Sequence, residues 1–92
     1  MFTWDPEKNE ENKRKHHIAF EDAVSVFDGP TLEKHDGRVD YGEDRGIATG
    51  LMRGVLVVVV VYTERGEVTR IISARKGKTY EREEYEAYLR TL

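Results

Sequence analysis

Residues 55–76 read VLVVVVVYTERGEVTRIISARK, and this stretch decides the fold. From Val55 to Tyr62 every residue is apolar and most are β-branched, the composition of a central strand covered on both faces. Thr63-Glu64-Arg65-Gly66-Glu67 supplies a polar hairpin turn in which Gly66 takes positive φ. Residues 68–76 return as the partner strand. With Arg65-Gly66 as the turn pair, Glu64 faces Glu67, Tyr62 faces Thr69, Val60 faces Ile71 and Leu56 faces Arg75. A slip of one position would exchange the two faces. Either way the partner strand has an apolar centre, Ile71-Ile72. Arg70, Arg75 and Lys76 then fall toward its ends, where their charges need not be buried.

Working outward, residues 45–52 read as a preceding strand joined through Arg53-Gly54. Residues 31–35 read as a short edge strand and residues 36–44 as a glycine-punctuated loop. Beyond Gly77, Thr79 is placed to cap a last helix over residues 80–92, with Glu81, Glu83 and Glu84 in its first turn. Tyr85, Tyr88, Leu89 and Leu92 form its packing stripe. Near the N-terminus, Asp5-Pro6-Glu7 is a helix start. Residues 7–17 contain no apolar side chain, an unusual helix that must be held by polar contacts. Asn9, Asn12 and His16 share one face, which can pack as a polar seam or present His16 to a site. Phe20, Ala23, Val24 and Phe27 give residues 20–27 a helical core stripe, ended by Asp28-Gly29-Pro30. The expected fold is α+β: a short N-terminal strand and two helices, an antiparallel meander of three or four strands, then a C-terminal helix.

Ninety-two residues make one domain, 1–92, whose small core a partner subunit would help to stabilise. With no cysteine, a reducing compartment is expected. Residues 1–5 lack a signal-peptide pattern, and residues 55–62 fall far short of the roughly 20 apolar residues that span a bilayer. A soluble cytoplasmic protein, with no membrane partner, is the expectation. The formal charge of −3 argues against a chain coated in nucleic acid. Residues 65–82, however, hold six basic side chains against Glu67 and Glu81, enough to bind phosphate locally. Around Gly77 the start of the last helix, with Lys78 and Arg82, favours an anion. Arg75 there can grip a phosphate or tie helix to sheet through Glu81. His16, His17 and His35 lack metal-ligand spacing, so neither metal nor cofactor is expected. His16 can serve as acid or base, or as a structural hydrogen bonder at a helix end. No GxGxxG, P-loop or GxSxG motif is present.

Longer motifs carry a resemblance. Trp4-Asp5-Pro6-Glu7-Lys8-Asn9 with Asn12, Lys15-His16, Phe20-Glu21-Asp22-Ala23 and Val26-Phe27-Asp28 resemble the N-terminal half of the BrnT toxin family. Tyr41-Gly42-Glu43-Asp44-Arg45, Ile47-Ala48-Thr49-Gly50, Val59-Val60-Val61-Tyr62-Thr63-Glu64-Arg65-Gly66, Arg70-Ile71-Ile72-Ser73-Ala74-Arg75-Lys76 and Glu81-Arg82 with Tyr85 are similar to its second half. The resemblance implies a RelE-like fold and a metal-independent ribonuclease that cleaves RNA and blocks translation. It also implies neutralisation by a BrnA-type ribbon-helix-helix antitoxin, through which alone the chain would reach operator DNA, with a homodimer expected in that complex. In such an enzyme the 2′-hydroxyl attacks phosphorus, which calls for a base, cations and an acid. The residues expected to serve are Arg75 as main phosphate stabiliser, Arg70 and Lys76 in support, and His16 or Glu64 as acid or base. Lys15, Arg65, Lys78 and Arg82 would hold the RNA backbone, and Tyr85 would stack on a base. Three departures stand out: His17 replaces the usual glycine, Gly77-Lys78 replaces Ala-Thr, and the first strand is short. The alternative reading is a non-catalytic RNA- or antitoxin-binding module acting as corepressor.

Overall fold

The computed structural model describes residues 1–36 and 45–92. The expected loop at 36–44 and the Tyr41-Gly42-Glu43-Asp44 motif therefore lie, Asp36 apart, outside the described residues. The elements run β1 (Phe2–Thr3), α1 (Pro6–His16), α2 (Phe20–Ala23), a 3₁₀ segment (Val24–Asp28), β2 (Leu32–Asp36), β3 (Arg45–Met52), β4 (Leu56–Arg65), β5 (Val68–Lys76) and α3 (Thr79–Leu89). The class is α+β, but the sheet is mixed and five-stranded, ordered β1-β5-β4-β3-β2. The expectation of a purely antiparallel meander is corrected by β1, which pairs parallel with β5, Phe2 beside Thr69 and Thr3 beside Arg70. Two residues are too few to show strand periodicity, and their partner lies at the far end of the sequence. The Thr69 N–H donates to the Met1 carbonyl at 2.8 Å, extending that pairing.

The hairpin forms in a different register. Arg65 pairs with Val68, so the turn pair is Gly66-Glu67, with Gly66 at φ 60°. Near the turn the register is two positions from the expected one, Tyr62 facing Ile71, and a shift of two leaves side chains on their faces. A bulge then changes the outcome. Tyr62 faces Ile71 but Val61 faces Ser73, leaving Ile72 without an opposite residue. From there the faces exchange, so Ala74 joins Val60 in the core and Arg75 moves to the other face beside Val59. At the other end β4 starts at Leu56, and Val55 is 84% exposed in a turn where Arg53 (φ 53°) and Gly54 (φ 73°) are left-handed.

The first face of the sheet carries Ala48, Val58, Val60, Ile71 and Ala74 against α1, α2 and the 3₁₀ segment. The helix expected over residues 20–27 tightens after one turn, and the Ser25 hydroxyl donates to the Asp22 carbonyl at 2.7 Å. With three residues per turn, Phe20, Ala23 and Val26 line up and are fully buried, while the expected Val24 and Phe27 pack half-buried against the core. The polar α1 is explained by its asparagines, both buried. Asn9 accepts the Phe20 N–H at 2.9 Å and donates to Glu21 at 2.8 Å. Asn12 donates to the carbonyls of Ile18 (2.8 Å) and Ala74 (2.9 Å) and accepts the Ala74 N–H (3.2 Å). His17 ends α1 as sharply as glycine would, at φ 59°, its N–H donating to the Lys13 carbonyl at 3.0 Å. At α3, Lys78 rather than Thr79 holds the cap position, and its N–H is taken by Glu81 at 2.8 Å. The helix stops at Leu89, leaving Leu92 73% exposed instead of packed. No helix among the described residues is long and apolar enough to cross a membrane.

Candidate functional site

Residues opposite one another in adjacent strands share a face. Thr63 faces Arg45 on one side and Arg70 on the other, and Arg70 lies beside Thr3. Arg45, Thr63, Arg70 and Thr3 thus form one row across four strands, on the face away from α1. α3 covers the opposite end of this face, held at three points. Lys34 donates to Glu84 at 2.7 Å, Arg75 pairs with Glu81, and the Tyr85 hydroxyl donates to the Pro30 carbonyl at 2.7 Å. Beyond α3 the face opens into a cavity of about 390 Å³ lined by Thr3, Thr63, Arg65, Val68 and Arg70. Its described lining holds two arginines, two threonines and no carboxylate, chemistry that suits a phosphate.

The residues expected to act together are divided among separate places. Arg70 and Arg65 line the open cavity on the second face. His16 and Lys15 stand in another cleft of about 240 Å³, with Lys8, Glu11, Asn12 and the bulge residues Ile72 and Ser73. Glu64 lines a third cavity, of about 400 Å³, which also contains His35, Arg45 and Tyr62. His16 is therefore not brought together with Arg70, Arg75 or Glu64. Lys76, Lys78 and Arg82 are exposed around the start of α3, where Arg82 donates to Thr79 at 3.4 Å. Tyr85, on the inner side of α3, is 1% exposed, a position that does not offer its ring to a base.

Arg75 makes the tie, one of the two contacts that its sequence position allows. Its guanidinium makes a two-pronged bond to Glu81, at 2.7 and 2.9 Å, and donates to the Lys76 carbonyl at 3.2 Å. The bulge is the cause, because it sends Arg75 to the α3 side. The Arg75 bond, joined by the Lys78 N–H, holds the Glu81 carboxyl down at about 2 from its ordinary 4.5. A depressed carboxylate stabilises the fold above its unfolded value and loses that contribution as it is protonated. Stability is therefore expected to fall between pH 4.5 and about 2. In urea titrations across that range, Glu81→Gln should flatten the fall; an unchanged slope would show that other carboxylates cause it.

Among the described residues no group of three or more His, Asp or Glu side chains is arranged to hold a metal ion. The acid-base potential of His35 was missed in the sequence. Its alternation with Glu33 places both on one face of a strand, but only strand pairing brings Tyr62 and Glu64 beside them.

A family model described as the ribonuclease toxin BrnT of type II toxin-antitoxin systems matches residues 4–81. The chain belongs to the BrnT family. In fold it is similar to the crystal structure of the Brucella abortus ribonuclease toxin BrnT, with a TM-score of 0.64 and 24% identity. That likeness covers 86% of this chain and 99% of the other. A search of the curated proteins finds no match. BrnT membership makes this a chain of a family of ribonuclease toxins, and a type II system implies an antitoxin as partner.

Proposed function

We propose that the chain is the toxin of a type II pair, a RelE-like, metal-independent endoribonuclease that cleaves cytoplasmic RNA and so inhibits translation. A BrnA-like ribbon-helix-helix antitoxin neutralises it, carries it to operator DNA, and brings two copies of it together. The observation that supports this reading best is the open cavity on the second face. Arg65 and Arg70 line it together with Thr63, with no carboxylate among the described lining, at the end of the face that α3 leaves bare. Arginines in such an arrangement bind phosphate and stabilise the charge that builds on it during cleavage. Lys15 and His16, in their own cleft at the β5 edge, offer RNA a second cationic contact apart from that cavity. Arg75 serves the fold.

Induced expression without antitoxin, followed by mapping of RNA 5′ ends, tests this. The parent chain should arrest growth and generate new ends, and Arg70→Ala should do neither. In vitro, Arg70→Ala should weaken RNA binding at every sequence and lower the slope of log affinity against log salt by about 0.7. An active Arg70→Ala variant would remove this arginine from the site. Tight antitoxin binding with no arrest and no new ends, even from the parent chain, would favour a non-catalytic corepressor.

A further inference from the structure

The third cavity, at the end of the sheet, holds an acid-base set that the row of arginines lacks. It takes lining residues from both faces, Lys34 and Arg45 from the second and Glu33, His35, Tyr62 and Glu64 from the first. β2 places His35 opposite Gly46, and β3 places Gly46 opposite Tyr62. Glu33 and Glu64, each two positions along the strand from His35 and Tyr62, share their face. Together with Arg45 they line about 400 Å³ of open space. Gly46 has no side chain, so the Tyr62 ring lies directly over it and its hydroxyl donates to Glu33 Oε1 at 3.0 Å. Burial, with Glu33 and Glu64 adding to it, pushes that hydroxyl up to about 12, so it remains a donor near neutrality. Glu33 accepts that bond, and Glu64 and His35, like Glu33 exposed, line the same cavity. Arg45 belongs both to this cavity and to the row that continues through Thr63 to Arg70. Glu64 is likewise the chain neighbour of Thr63 and Arg65, which line the cationic cavity.

We infer that RNA held on the arginine row is cleaved at this cavity, with Glu64 as general base and His35 as general acid. The inference rests on the ribonuclease reading and gives it its proton-transfer groups. The Glu64 carboxylate takes the proton of the ribose 2′-hydroxyl as that oxygen bonds to the adjacent phosphorus. The bond from phosphorus to the 5′-oxygen breaks, and the protonated imidazole of His35 gives its proton to that leaving oxygen. Arg45 bonds the non-bridging oxygens, on which negative charge increases. The products are a 2′,3′-cyclic phosphate and a 5′-hydroxyl end, and no oxidant, metal or water enters the step. The surface position of both groups suits a polymer substrate that must approach from solvent.

The experiment uses the purified chain, a short RNA and a chelator-treated buffer. His35→Ala and Glu64→Gln should each slow cleavage by about 100-fold or more while RNA is still bound. Melting curves of both variants, compared with the parent, check that each is folded when it is assayed. A second substrate, with sulfur in place of the 5′-oxygen at the cleaved bond, needs no proton on its leaving group. It should restore cleavage to His35→Ala but not to Glu64→Gln. Full cleavage by His35→Ala would overturn the assignment while leaving the ribonuclease reading in place, as would loss of RNA binding in that variant without rescue by the sulfur substrate. Failure of the parent chain to cut either RNA would overturn both.

Discussion

Asn12→Ala is expected to cost about 3–5 kcal/mol, a large part of the stability of so small a domain. Asn12 is 5% exposed and its amide meets three backbone groups: the carbonyls of Ile18 and Ala74 and the N–H of Ala74. β1 covers only Thr69 and Arg70 on the outer edge of β5. Beyond the bulge the side chain of Asn12 takes the place of a neighbouring strand, supplying both a donor and an acceptor to Ala74. Alanine would leave these groups buried without partners, each costing about 1–3 kcal/mol, and would open a space between α1 and the sheet. Asn12→Leu, similar in volume, should do no better, because the loss is one of hydrogen bonds. Asn12→Asp keeps the acceptor but removes the donor and buries a charge. Urea unfolding of the three variants measures the effect. A loss below about 1 kcal/mol for Asn12→Ala would mean that water replaces the amide and that the polar helix is held elsewhere.

Gly46→Ala should be destabilising by about 1–3 kcal/mol, although a glycine inside a strand would ordinarily be improved by a side chain. A Cβ at Gly46 would stand 2.4 Å from Tyr62 Cζ and 2.6 Å from its hydroxyl oxygen. The ring cannot simply rise, because Phe27 packs edge-on against it with centroids 5.3 Å apart, and Phe27 in turn meets Phe2 at 5.3 Å. Displacing Tyr62 also breaks its bond to Glu33. The decisive measurement is a double-mutant cycle: in a Tyr62→Ala background, Gly46→Ala should cost almost nothing. Equal costs in both backgrounds would show that the backbone, and not the ring, objects to the methyl group. Gly46→Ala should also impair RNA cleavage more than binding, because the displaced ring occupies the cavity of His35 and Glu64.

Much of the fold was legible because it is local. β3 and β5 coincide with the residues read as strands, the β-branched run is the central strand, and α1 begins where Asp5-Pro6 places it, while α3 begins one residue before its expected start. The polar seam of Asn9 and Asn12 was one of two readings of that helix face, and their lack of exposure selects it. The 3₁₀ segment was not legible, because a stripe of 20, 23, 24 and 27 and one of 20, 23 and 26 draw on the same apolar residues.

The candidate site was less legible, for a geometric reason. Which side of a sheet an arginine occupies depends on register, and register depends on contacts between strands distant in sequence. One extra residue, Ile72, turns Arg75 to the α3 side, where it pairs with Glu81. His35, Arg45 and Glu64 come from three strands, and no spacing within any one of them announces their meeting. By itself the sequence determined the class, most elements, the family and the local excess of positive charge, since these follow from side-chain periodicity and composition. The tertiary structure alone decided the parallel β1, the bulge, and which charges are paired and which share a cavity. Each of these is set by a contact across the sheet, where a displacement of one residue turns every side chain beyond it to the other face.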